Sequence, residues 1–125
     1  MSPLVLAYIG DAVYEVFVRT FVICKAKASV HNLHKNSVKL VKAKAQSDII
    51  SKIMFQLTNE ERDIVRRGRN AKAGTIPKNA SFIEYKYATG FESLIGFLYL
   101  KRDFERLMQI LGMAIQANQN NITGD

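Results

Sequence analysis

Leu4-Val5-Leu6-Ala7-Tyr8-Ile9-Gly10-Asp11-Ala12-Val13-Tyr14-Glu15 opens the chain with a run of core-type residues broken by two carboxylates. Asp11 and Glu15 stand four apart, which puts both on one side of a helix. Pro3, just ahead, suits a first helical turn, and the apolar spacing carries that helix from about Leu4 to about Cys24. A second run, Tyr87-Ala88-Thr89-Gly90-Phe91-Glu92-Ser93-Leu94-Ile95-Gly96-Phe97-Leu98-Tyr99-Leu100, embeds Glu92 among core residues in the same way. A charge in such company is costly to desolvate unless it is paired or binds a cation. Gly10 and Gly96 each cost a helix about 1 kcal/mol relative to alanine, so each needs a packing reason. Close crossing of the two helices is one such reason, and it brings Asp11 and Glu92 within reach of a shared divalent ion.

Plainer readings of the same acids stand beside this one. Asp11, following Gly10, suits a helix cap; Glu92 suits an ion pair with a lysine or arginine across a bundle; Glu15 suits a satisfied or surface acid. His31 and His34, three apart, have metal-ligand spacing. No acid or cysteine stands near them in sequence, which favours backbone capping or a phosphate contact.

Between the two acidic runs the periodicity is helical and strand-like alternation is scarce, so the expected fold class is all-α. A second helix begins near Ser29 or Val30, with Leu33, Val38 or Val41, and Ala45 on one face. A third covers about Ser47 to Gln56. Thr58-Asn59-Glu60-Glu61 caps a fourth, expected to stop at Gly68. Arg69 to Ser81, with Gly74 and Pro77, reads as a loop. A fifth helix spans about Phe82 to Leu100 and a sixth about Asp103 to Ala117, before a polar, frayed end over Asn118 to Asp125.

The 125 residues fit one domain, 1–125, and 48% apolar content suits a packed core. The single Cys24 excludes an intrachain disulfide and favours a reducing compartment, the cytoplasm. No signal peptide or membrane span is expected, because Asp11, Glu15, Arg19 and Glu92 interrupt the longest apolar stretches. No Walker loop, dinucleotide fingerprint or Ser-His-Asp arrangement is present. A net charge of +7 and a pI near 9.7 point to a polyanionic partner.

The basic residues are grouped. No acid occurs from Val16 to Ser47, where Arg19, Lys25, Lys27, Lys35, Lys39, Lys42 and Lys44 accumulate; the Lys35–Lys44 helix reads either as a solvated face or as one facing nucleic acid. None occurs from Ile64 to Ile83 either, where Arg66, Arg67, Arg69, Asn70, Lys72 and Lys78 combine guanidinium forks with small residues, a composition suited to phosphate oxygens. Tyr85 and Tyr87 nearby suit base stacking or core and rim packing.

Leu6–Glu15 (LAYIGDAVYE) and Thr89–Leu100 (TGFESLIGFLYL) resemble the two acidic motifs of the ribonuclease III family in its compact form, Mini-ribonuclease III. Ala43–Gln46 and Arg67–Lys72 match that pattern in order and spacing. The resemblance implies an all-helical endonuclease domain without an appended double-stranded RNA-binding domain. It also implies a homodimer that cuts both strands of double-stranded RNA with magnesium, manganese serving as substitute, and leaves 5′-phosphates. The implied substrate is the precursor of large-subunit (23S) ribosomal RNA. By position, Asp11 and Glu92 match the essential, metal-binding acids, Tyr8 an aromatic at the dimer interface, and the Arg67–Lys72 loop the segment that approaches RNA. Full-length family members carry further acids where this chain has Leu4, Ala7 and Thr89, so weaker metal binding is expected. The alternatives are a non-catalytic RNA-binding module or a ribosome-associated helical adaptor.

Overall fold

Phe82–Lys101 is apolar on nearly every side, with Ala88, Gly90, Phe91, Leu94, Ile95, Gly96 and Leu98 all buried, and a helix without a polar face belongs at the centre of a bundle. In the computed structural model, which describes residues 1–25, 29–72 and 81–118, that helix is the axis of the molecule. The helices are α1 (Pro3–Lys25), α2 (Val30–Val41), α3 (Ala43–Ile53), α4 (Asn59–Asn70), α5 (Phe82–Lys101) and α6 (Phe104–Ala117), with a single 3-10 turn over Met54–Gln56. No strand occurs among the described residues. The α5 axis packs most extensively on α1, then on α4 and α3. One core joins them, built on Tyr14, Val18, Leu40, Ile49, Ile50, Ile53, Val65, Phe91, Leu94, Ile95, Ile110 and Leu111. No helix among the described residues is long and apolar enough to cross a membrane.

Local signals account for most boundaries. Thr58 and Glu61 form a reciprocal capping box at the start of α4. Ser29 caps α2, Ser81 caps α5 and Asp103 caps α6, each side chain accepting a backbone N–H. Arg102, at φ 65°, turns the chain out of α5. Arg106 of α6 holds Glu61 through Nε and Nη2 at 2.8 and 2.9 Å, and Nη2 also reaches the Gln56 carbonyl. Glu61 is buried, and the guanidinium holds its carboxyl below the usual range.

Three boundaries depart from the sequence reading. The face expected to run from Leu33 through Ala45 is cut at Lys42, whose extended backbone (φ −64°, ψ 153°) separates α2 from α3. The third helix therefore starts at Ala43 rather than Ser47 and gives way to the 3-10 turn at Met54. The fourth runs past Gly68 to Asn70, because Gly68 faces Gly90 and Ser93 of α5 and serves close approach instead of a stop. Residues 73–80, which include most of the expected loop and Lys78, lie outside the described residues, as do 119–125 of the expected frayed end.

Candidate active site

The helices α1 and α5 meet backbone to backbone. A Cβ added to Gly10 would lie 1.8 Å from the Glu92 carbonyl oxygen, and one added to Gly96 would lie 1.9 Å from the Leu6 carbonyl oxygen. Only hydrogen fits at either position, which is the packing reason two mid-helix glycines require. Asp11 follows Gly10 and Glu92 sits at the contact, so the crossing sets their carboxyl groups together. Burial raises the Glu92 pKa to about 8, helped by the charge and hydrogen bonding of Asp11 and by the charge of Glu15, and opposed by a hydrogen bond from Gln46.

The surroundings of the acids differ from the sequence picture in detail. Glu92 is half-buried, but Asp11 is exposed on α1, so only one of the pair is withdrawn from solvent. Asp11 lies well inside α1 and is no helix cap. The charges that shape Glu92 are those of two acids, not of a cation across the bundle. Glu15 accepts from Arg19 Nε at 3.1 Å. His31 and His34 are exposed on α2.

Gln46 is the site residue whose role sequence reasoning missed. It is buried on the first turn of α3, and its Nε2 donates to the Val41 carbonyl at 2.8 Å and to Glu92 Oε2 at 3.2 Å. Its Oε1 is buried without a hydrogen-bond partner among the described residues, a state that costs roughly 1–3 kcal/mol. Ala43–Gln46 drew notice only as a matching motif; no local signal distinguishes a glutamine that reaches another helix from a polar spacer.

A close pair of carboxylates is a donor set for a hard divalent cation, whose charge would offset the burial and the repulsion that raise Glu92. Among the described residues no group of three or more His, Cys, Asp or Glu side chains forms a fuller ligand set. Magnesium, which keeps several waters and needs only one or two protein carboxylates, fits such a pair.

The basic residues sit on the C-terminal half of α4 and just beyond. Arg66 and Arg67 are exposed and share Asp63, the latter at 3.4 Å. Arg69 lies over the half-buried Tyr87 ring at 5.4 Å, a cation–π contact that holds the guanidinium in place. Asn70 and Lys72 are exposed. Gly68, Arg69, Lys72, Tyr85, Lys86 and Thr89 line a groove of ≈ 450 Å³ between α4 and α5. Elsewhere, Leu4, Val5, Tyr8 and Val16 leave an apolar stripe open on α1, with Tyr8 83% exposed.

Residues 4–103 match the family model described as the ribonuclease III domain. The chain is 53% identical over 116 residues to a Mini-ribonuclease 3 of Thermoanaerobacter sp. (strain X514), covering 93% of this chain and 82% of that one. It is likewise 53% identical to a Mini-ribonuclease 3 of Clostridium tetani, covering 92% and 77%. A crystal structure of a Fusobacterium nucleatum protein superposes with a TM-score of 0.84 at 34% identity, covering 93% of each chain.

Proposed function

Because the chain belongs to the ribonuclease III family, in its Mini-ribonuclease 3 branch, and is accordingly an endoribonuclease, we propose that it hydrolyses double-stranded RNA at a magnesium centre held by Asp11 and Glu92. The observation that carries this reading is the meeting of those two carboxyls at the Gly10–Gly96 crossing. Bound there, magnesium, or manganese in its place, supplies charge neutralisation at the scissile phosphate and an activated water. Asp11 and Glu92 hold the ion, and the packed helix crossing holds Asp11 and Glu92. Arg66, Arg67, Arg69, Asn70, Lys72 and Lys78 bind backbone phosphates, with Arg69 oriented by Tyr87. An A-form duplex offers its wide, shallow minor groove and its phosphates, so recognition is chiefly of shape and charge. The products carry 5′-phosphates.

The working unit in this reading is a homodimer joined through the α1 stripe around Tyr8, with residues 1–125 as one catalytic unit. Pairing doubles the +7 of one chain to +14, a strong attraction for RNA. Two symmetry-related centres account for cutting both strands. The natural substrate we assign is the large-subunit (23S) ribosomal RNA precursor, in the cytoplasm.

The test is incubation of a long RNA duplex with the purified protein, with and without magnesium, followed by sizing of the fragments. Asp11→Asn and Glu92→Gln are each expected to cut more than about 100-fold more slowly, while both retain the duplex in calcium. Normal cutting by either variant removes the metal centre from these two residues; tight binding with no cutting by the wild type leaves a binding module.

A further inference from the structure

We infer that Gln46 is a positioning residue for Glu92, holding its carboxylate in the orientation that receives the divalent ion. The inference rests on the metal-centre reading above. Gln46 is 2% exposed, and its amide nitrogen spends both hydrogens on defined acceptors, the Val41 carbonyl at 2.8 Å and Glu92 Oε2 at 3.2 Å. The Val41 carbonyl lies at the end of α2, next to the break at Lys42, so the amide is fixed at its back by main chain. Turning the amide over would aim its oxygen at two acceptors, so the donor orientation is imposed by its surroundings.

That orientation leaves Oε1 buried with no partner among the described residues. An apolar side chain of the same length would remove that orphan acceptor but would free the Val41 carbonyl in exchange. The amide thus gives the core little net gain, and its second hydrogen is directed at Glu92. By engaging Oε2 it restricts rotation of the carboxylate and leaves Oε1 of Glu92 unengaged by the amide. Partners that orient ligating side chains typically change metal affinity or activity by about 10–100-fold when removed.

The experiment uses manganese alone as the probe, titrated into the wild type, Gln46→Met and Glu92→Gln, with free ion followed by electron paramagnetic resonance. Thermal melts and the magnesium dependence of duplex cleavage are recorded on the same samples. Gln46→Met is expected to fold with a melting temperature near that of the wild type and to bind manganese about 10–100-fold more weakly. Its cleavage is expected to shift to higher magnesium, with most of the maximal rate recovered at saturation. A folded Gln46→Met with wild-type manganese affinity overturns the inference. If Gln46→Met does not fold, Gln46→Leu takes its place; failure of both to fold also overturns it, since the amide then serves the core. Loss of manganese in Glu92→Gln with wild-type binding in Gln46→Met sinks the positioning role alone. Wild-type binding in Glu92→Gln, or none in the wild type, sinks the metal centre as well.

Discussion

Glu92 carries the strain of the site in its own proton affinity. Burial, then the neighbouring acids, lift its pKa from the ordinary 4.5 to about 8. Between those values the folded protein keeps a proton that the unfolded chain has released, so the folded state binds more protons and stability falls as pH rises. Below about 4.5 the penalty vanishes; above about 8 it is complete. In chelator, Glu92→Gln is therefore expected to match the wild type near pH 4.5 and to exceed it by up to about 5 kcal/mol at pH 8.5, as read from urea denaturation at the two pH values. A wild type equally stable at both ends relative to the variant would contradict this picture. The two acids were legible in the sequence because a charge in an apolar run announces itself by its cost. Gln46 was not, because an amide on an amphipathic helix is unremarkable until the partner helix is in place.

Among the elements, the α1–α5 crossing is the tightest contact and the least tolerant of change. Gly10→Ala drives a methyl into the Glu92 carbonyl and is expected to destabilise by more than about 3 kcal/mol, the upper end for overpacking. Gly112→Ala, inside α6 with nothing within 4 Å of the added Cβ, is the control: it is expected to stabilise by about 0.5–1 kcal/mol. Thermal melts of the two variants check the contrast. Helix order and the Thr58 cap were readable because that capping box is local in sequence, while the Ser81 and Asp103 caps showed only as approximate helix starts. Gly10 and Gly96 gave away the crossing because glycine is expensive in mid-helix. Gly68 misled for the same reason: a glycine required by a neighbouring helix and one that ends its own helix look alike in one dimension. The break at Lys42 had no signal at all, since neither glycine nor proline marks it and only tertiary packing aims α3 at α5.

For the whole molecule, the exposed stripe of Leu4, Val5, Tyr8 and Val16 and the basic excess both describe surfaces in want of company. The chain is 14.1 kDa, so sedimentation equilibrium of the proposed dimer is expected to give about twice that mass, and Tyr8→Asp is expected to return it to a single chain at micromolar concentration, because a charge in an apolar interface opposes association. A wild type that sediments as one chain would refute the dimer. Overall charge pointed to a polyanion partner from composition alone, whereas the apolar stripe proposed to join two copies emerges only when the helix is wound. The contact at Gly10 and Gly96 has one more consequence. The two acids ride on main chain wedged where α1 and α5 cross, so the placement of one against the other is set by folding. Heat should then extinguish the chemistry and the architecture in the same cooperative step.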